Sequence, residues 1–172
     1  MKISSVGIDL IKYFESLHDG NLSLIGLQPK LCPANIWTEG YGHAIRDDRG
    51  ILIKGVENKK LAYSFSKIKD KSEAEAMLRS DITEFEKIVL RGIKKPMEQH
   101  QFDALVSHTY NTGGSQTLFS FINADRMDIK IEMLEDWWTQ KYITANGKKL
   151  NGLVKRRYCE WVLFSTGILK LD

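Results

Sequence analysis

Apolar residues recur at helical intervals near the start of the chain, at Ile3, Val6, Leu10, Phe14 and Leu17, with Ile11 beside them. That spacing predicts a helix with one buried face. Ser4 or Ser5 can cap its first turn. Asp19-Gly20-Asn21 is a turn signal, so the helix should end near Glu15 to Leu17. The pattern then changes. Ile36-Trp37-Thr38 and Tyr41 are strand formers punctuated by Gly40, Gly42 and the cluster 46–50, and Ile51-Leu52-Ile53 follows. A small antiparallel sheet is expected here. From residue 72 the pattern is helical to the end. Ser72 and Glu75 read as a capping box ahead of the face Ala74, Met77, Leu78, Ile82, Phe85, Ile88 and Val89. Pro96 is expected to open a helix carrying Phe102, Leu105, Val106 and Tyr110, stopped by Asn111-Thr112-Gly113-Gly114. Another should run through Ile131, Leu134 and Trp138 up to Asn146-Gly147. A last one carries Val154, Tyr158, Trp161 and Val162, with Gly167 as terminator.

Strands and helices are segregated along the chain, so the fold class is α+β and predominantly helical. The reading is a single domain, 1–172. A small sheet lobe covers about 16–70, and a larger helical lobe covers 71–172 plus the N-terminal helix 4–15. A cleft between the lobes is the expected binding site.

Composition narrows the classes. A chain of 172 residues can bury one sizeable core. Its net charge of +3 suits an anionic partner without choosing one. No basic run alternates with aromatics, which argues against a single-strand nucleic-acid binder. Two cysteines, Cys32 and Cys159, are too few for a disulfide scaffold, and no CxxC pair offers a metal site. The first residues carry Asp9 and no long apolar run, so they read as neither a signal peptide nor a membrane span.

Two segments could carry chemistry. Glu15 stands at the predicted C-terminal end of an apolar helix, beside Phe14 and Leu17. The negative end of the helix dipole and apolar burial both favour the neutral carboxylic acid, the form a general acid needs. A solvated glutamate at a helix end fits the same residues. The run Cys32 to His43 places Gly40 and Gly42 at alternate strand positions, exposing backbone to a flat ligand such as a sugar ring. Thr38 offers a hydroxyl that can hold water. A hairpin with glycines at its bends fits equally well.

Taken together, Phe14-Glu15-Ser16-Leu17, Cys32-Pro33-Ala34, Trp37-Thr38 and Gly40-Tyr41-Gly42-His43 resemble the phage-type lysozyme (endolysin) signature. That signature runs Phe-Glu-Gly-Leu, then Asp or Cys, then Trp-Thr-x-Gly-Tyr-Gly-His. Gln101 to Ser107 with Tyr110-Asn111-Thr112-Gly113 resembles the family's central-helix motif. Leu150 to Arg157 resembles its Leu-Pro-Gly-Leu-Val-x-Arg-Arg segment. The blocks follow family order over nearly the whole chain. The sequence departs from the pattern in a longer segment between Glu15 and Cys32, in Ser16 for glycine, in Glu39 for an apolar residue and in Asn151 for proline. Glu39 should point away from Thr38 on the strand.

The resemblance implies a lysozyme-like fold and hydrolysis of the β-1,4 bond between N-acetylmuramic acid and N-acetylglucosamine in bacterial peptidoglycan. It implies Glu15 as the acid, Cys32 at the Asp-or-Cys position with Asp19 as the competing residue, and Thr38 as a holder of the attacking water. Inversion at the anomeric carbon is the expected outcome. Tyr110, Gln116, Thr117, Gly40 and Gly42 are expected substrate contacts. No metal or cofactor is implied. The implied protein is a monomer that collects in the host bacterial cytoplasm and acts on the wall in the periplasm, released by a holin. A lytic transglycosylase using Glu15 alone and a non-catalytic wall-binding module are the rival readings.

Among the remaining candidates, His43 reads as a structural partner for a carboxylate, and His18, His100 and His108 need no function. Arg156 and Arg157 either neutralise carboxylates or form a solvated helix face. Trp137, Trp138 and Trp161 read as core, and Cys159 as a buried small hydrophobe. The segment Asn21 to Gln28, with Leu22, Leu24, Ile25 and Leu27, is expected to pack rather than to float.

Overall fold

A computed structural model of the chain describes residues 1–15, 28–32, 34–124, 131–145 and 147–171. The expectations for Leu17, His18, Asp19 and nearly all of the 21–28 segment lie outside the described residues. The chain packs as two compact units. The sheet unit is Glu15–Asp81, and the helical unit combines Met1–Phe14 with Ile82–Asp172.

In the sheet unit, β1 (Lys30–Leu31), β2 (Trp37–Glu39) and β3 (His43–Ala44) form an antiparallel sheet in chain order. Lys30 pairs with Thr38, and Thr38 with Ala44. Bridges from Ile36 to Lys54 and from Arg46 to Leu52 bring in the Ile51-Leu52-Ile53 run, as the alternation predicted. Such short strands need a core to hold them. Trp37, Ile45, Ile53 and Ala62 supply it, with Leu31 and Phe65 packed alongside. The Trp37 indole Nε1 donates to the Gly55 carbonyl at 2.7 Å, so its burial strands no polar atom.

A 3-10 turn at Val56–Asn58 and α2 (Lys59–Phe65) follow. Neither was expected. Seven residues are too few to print a helical period, and only Ala62 of α2 is buried. The long α3 (Lys71–Gly92) starts one residue before the predicted cap. Asp70 Oδ1 accepts from Glu73 N at 2.8 Å, and Glu73 Oε2 accepts from Lys69 N at 2.6 Å. Aspartate caps as well as serine does, so Asp70 takes the role assigned to Ser72. Glu75 instead pairs with Arg79 one turn on.

The helical unit holds α1 (Ser5–Glu15, whose last residue belongs to the sheet unit), α4 (Gln99–Thr112), α5 (Gln116–Asn123), α6 (Ile131–Gln140) and α7 (Asn151–Thr166). Residues 102–109 of α4 are all buried, and α4 packs along α7, which also packs against α6. A helix buried all round sits at the centre of its unit. It begins at Gln99 rather than at Pro96, because Glu98 and Gln101 form a reciprocal capping box. Gly113 and Gly167 close α4 and α7 in the left-handed conformation, as predicted. The helix expected to run up to Asn146-Gly147 stops at Gln140 as α6, and β4 (Thr144–Ala145) pairs with β5 (Lys148–Lys149) after it; Asn146 lies outside the described residues. Trp138, Trp161 and Cys159 are buried, as expected.

Candidate active site

Helix α1 is fixed at its start by two buried carboxylates. Asp103 accepts from Ser4 N at 2.9 Å and from the Ser4 hydroxyl, while Glu86 accepts from Ile3 N at 2.8 Å and from Lys2 Nζ at 2.7 Å. Ser4 Oγ in turn accepts from Val6 N, as the cap predicted. Eleven residues later the helix ends on Glu15, which is half-buried.

The Glu15 carboxylate lies against the turn between β2 and β3. A Cβ added at Gly42 would stand 3.8 Å from Glu15 Oε2. Gly42 has φ +92° and Gly40 φ +57°, a backbone that side-chain-bearing residues adopt only at a cost. A Cβ at Gly40 would also meet Ile68 Cδ1 at 2.6 Å. The Gly-Tyr-Gly sequence thus makes a tight turn rather than a strand: Gly40 is buried against Ile68, so the backbone exposure expected of it is not found, while Gly42 is half-buried.

Cys32 and Thr38 lie on the β1–β2 hairpin. Cys32 N donates to Ile36 O and Asn35 N to Cys32 O, both at 2.9 Å, with Asn35 left-handed at φ +61°. Cys32 follows Lys30 by two positions, and Lys30 is the cross-strand partner of Thr38. Strand alternation therefore puts Cys32 and Thr38 on one face. Cys32 is half-buried and Thr38 buried. The Thr38 hydroxyl donates to Lys30 O at 3.2 Å, which leaves its oxygen able to accept.

Five predicted residues, Glu15, Cys32, Thr38, Gly40 and Gly42, thus share the sheet unit. The other three sit in the helical unit. Tyr110 is half-buried near the end of α4, its ring edge-on to Phe85 at 5.0 Å. Gln116 and Thr117 are exposed in the first turn of α5, behind Ser115, which caps Leu118 N.

Three features were not legible in sequence. Glu39 is buried, and its carboxylate accepts from the Ser66 hydroxyl at 2.7 Å and from the Lys67 and Ile68 amides at 3.1 and 3.2 Å. It thereby anchors the chain that leads into α3. His43 Nδ1 meets Asp81 at 2.9 Å, the carboxylate partner that was expected but could not be named. The Asp81 hydrogen bond raises the His43 pKa above its ordinary value, against the lowering effect of burial. Arg156 and Arg157 are neither solvated nor at a surface. Both are buried around Glu160, because α7 is enclosed on the side where they project.

The family model for phage lysozyme matches residues 24–160 of the chain. The chain belongs to the phage lysozyme family. Among endolysins, it is 30% identical over 171 residues to that of Acyrthosiphon pisum secondary endosymbiont phage 1, covering 96% of this chain and 99% of that one. It is 34% identical to the endolysin of Bacillus phage B103 but spans only 55% of that protein's length. The solved endolysin from Escherichia coli O157:H7 phage FAHEc1 superposes with a TM-score of 0.71 at 33% identity, over 99% of this chain and 98% of the other. The chain therefore shares both sequence and architecture with endolysins over nearly its whole length.

Proposed function

We propose that this phage lysozyme is an endolysin that hydrolyses the β-1,4 bond between N-acetylmuramic acid and N-acetylglucosamine in bacterial peptidoglycan. The observation that carries the reading is the Glu15 carboxylate, half-buried at the end of α1 and in reach of the side-chain-free backbone at Gly42. A sugar ring can approach that backbone closely enough to take a proton from Glu15 on its glycosidic oxygen. Thr38 has committed its proton to Lys30 O, so its oxygen accepts from the attacking water and turns a water lone pair toward the anomeric carbon. Cys32, on the same face, adds a second weak contact to that water. A thiol is a poorer base than a carboxylate, so Cys32 positions the water more than it activates it; the proton that the water sheds as the new C–O bond forms passes to solvent, from which Glu15 is reprotonated. Attack from the face opposite Glu15 inverts the anomeric centre. Tyr110, Gln116 and Thr117 are proposed to contact the strand further along.

The proposal includes a monomer made in the host cytoplasm and released to the wall by a holin. Among the described residues no helix is long and apolar enough to cross a membrane.

Mass spectrometry of purified peptidoglycan after digestion tests the chemistry. Hydrolysis leaves reducing muramic acid ends, each carrying one added water. Anhydro ends would replace the hydrolase with a lytic transglycosylase, and no cleavage at all would favour a wall-binding module. Cys32 has its own test. Folded Cys32→Asp should keep activity and folded Cys32→Ala should lose much of it. The reverse order is what a merely packed cysteine predicts, since aspartate would then bury a charge, and it would return Asp19 to consideration.

A further inference from the structure

The seam between α4 and α7 holds a charged cluster that the proposed chemistry does not use. Glu160 on α7 is fully buried. Its Oε1 accepts from the Ser107 hydroxyl at 2.8 Å and from Arg156 Nε at 3.1 Å, and its Oε2 lies 3.2 Å from Arg157 Nη1. Burial alone would push this carboxyl up, but the Arg157 and Arg156 guanidiniums outweigh it and hold it below the usual carboxylate range. The two arginines then diverge. Arg157 Nη2 donates to Asn111 Oδ1 at 2.5 Å and so ties α7 to α4. Arg156 Nη2 reaches Ser107 O at 3.3 Å, and its guanidinium lies over the ring of Phe14, 5.7 Å from the centroid. A cation over an aromatic face is attracted to it, and the planar guanidinium gives that contact a direction. Phe14 immediately precedes Glu15 in the last turn of α1.

We propose that Glu160 and Arg156 are positioning residues. Glu160 locks Arg156, Arg156 holds Phe14, and Phe14 sets the direction in which α1 delivers the Glu15 carboxylate. The inference rests on Glu15 being the acid. A general acid works only within hydrogen-bond reach of the atom it protonates, and a shift of about 1 Å can cost on the order of 10²-fold in rate.

The test is kcat and KM on soluble, uncrosslinked glycan strands, with each variant checked as folded by circular dichroism. Glu160→Gln and Phe14→Leu should each lower kcat by roughly 10- to 100-fold with KM unchanged. Arg156→Lys should follow them, because an ammonium keeps the charge but loses the planar face. Asn111→Ala removes the Arg157 contact alone, so it should lower Tm and leave kcat at the wild-type value. A structural role for the whole cluster predicts the opposite: Tm falls in every variant and kcat of folded protein stays level. Wild-type kcat in folded Glu160→Gln, or a kcat loss in Asn111→Ala as large as in Phe14→Leu, overturns the proposal. If Glu160→Gln does not fold, Phe14→Leu decides alone, and unchanged kcat there is the overturning result. Glu15→Gln is measured alongside. Retained turnover in that variant would refute the acid assignment itself. An inactive Glu15→Gln beside fully active positioning variants would refute the positioning alone.

Discussion

Glu39 in the sheet unit and Glu160 in the helical unit are both glutamates withdrawn from solvent, with 1% and 0% of their surface exposed, and they are held by opposite means. Glu39 is satisfied by neutral donors, two backbone amides and a hydroxyl. Glu160 Oε1 accepts from the Arg156 guanidinium and the Ser107 hydroxyl, and its Oε2 is met by the charge of Arg157 at 3.2 Å. The sheet unit has two- and three-residue strands and spare backbone amides between them, so one carboxylate can organise a loop. In the helical unit a buried carboxylate finds backbone donors at a helix start, as Asp103 and Glu86 do at the beginning of α1; Glu160 lies within α7, where the amides are already paired, and its charge is met by side-chain charge. Glu15 differs in exposure: it is half-buried at a helix end, near the side-chain-free backbone of Gly42. The contrast separates two fully buried carboxylates from the half-buried one proposed to act on a substrate.

The largest effect should come from breaking the charged arrangement. Arg157→Ala should cost about 3–5 kcal/mol in denaturant unfolding, because it strips a partner from a buried carboxylate. A loss typical of a surface pair would mean that Arg156 alone suffices. The next effect is a pH dependence confined to the same seam. His108 is buried among Trp137, Trp138 and Tyr142, and burial pushes its pKa down to about 4. The unfolded chain takes up that proton near 6.5. Stability from this group is therefore complete above pH 6.5 and lost as pH falls to 4, by about 3 kcal/mol in all. Unfolding titrations of wild type and His108→Gln across that window should diverge in slope, and parallel slopes would contradict the assignment.

Glu39→Gln should cost about 1–3 kcal/mol, since an amide keeps one acceptor for three donors. An equal loss in Glu39→Gln and Arg157→Ala would erase the distinction between the two units. Gly42→Ala should cost a comparable amount in stability, about 1–3 kcal/mol from the positive φ alone, while reducing activity because a methyl group would stand where the sugar approaches. Equal small losses in both would show that Gly42 serves the turn only.

Much of the architecture was legible because it rests on local rules. The period of α1 and α7, the glycine stops at 113 and 167 and the alternation at 36–38 each report a nearby partner. The errors arose where two local signals competed. Asp70 displaced Ser72 as a cap, Glu98 displaced Pro96 as a helix start, and α6 stopped at Gln140, ahead of the β4–β5 pair. At the candidate site, family order along the chain nominated Glu15, Cys32, Thr38 and the two glycines. It could not reveal Glu39 reaching residues 66–68, His43 meeting Asp81 or Arg156 lying over Phe14, because those partners are from 27 to 142 positions apart. Sequence allowed a carboxylate partner for His43 and for Arg156, and only the fold names the counterpart.

The central claim is that Glu15 is the proton donor and that the buried glutamates are not. Its most direct test is the lysis rate of chloroform-permeabilised Gram-negative cells by folded Glu15→Gln beside wild type. Glutamine keeps the size and the contact with the Gly42 turn but has no acidic proton to give. The account predicts a loss on the order of 10²- to 10⁴-fold or more at unchanged Tm. Clearance by the folded variant at close to the wild-type rate would contradict it.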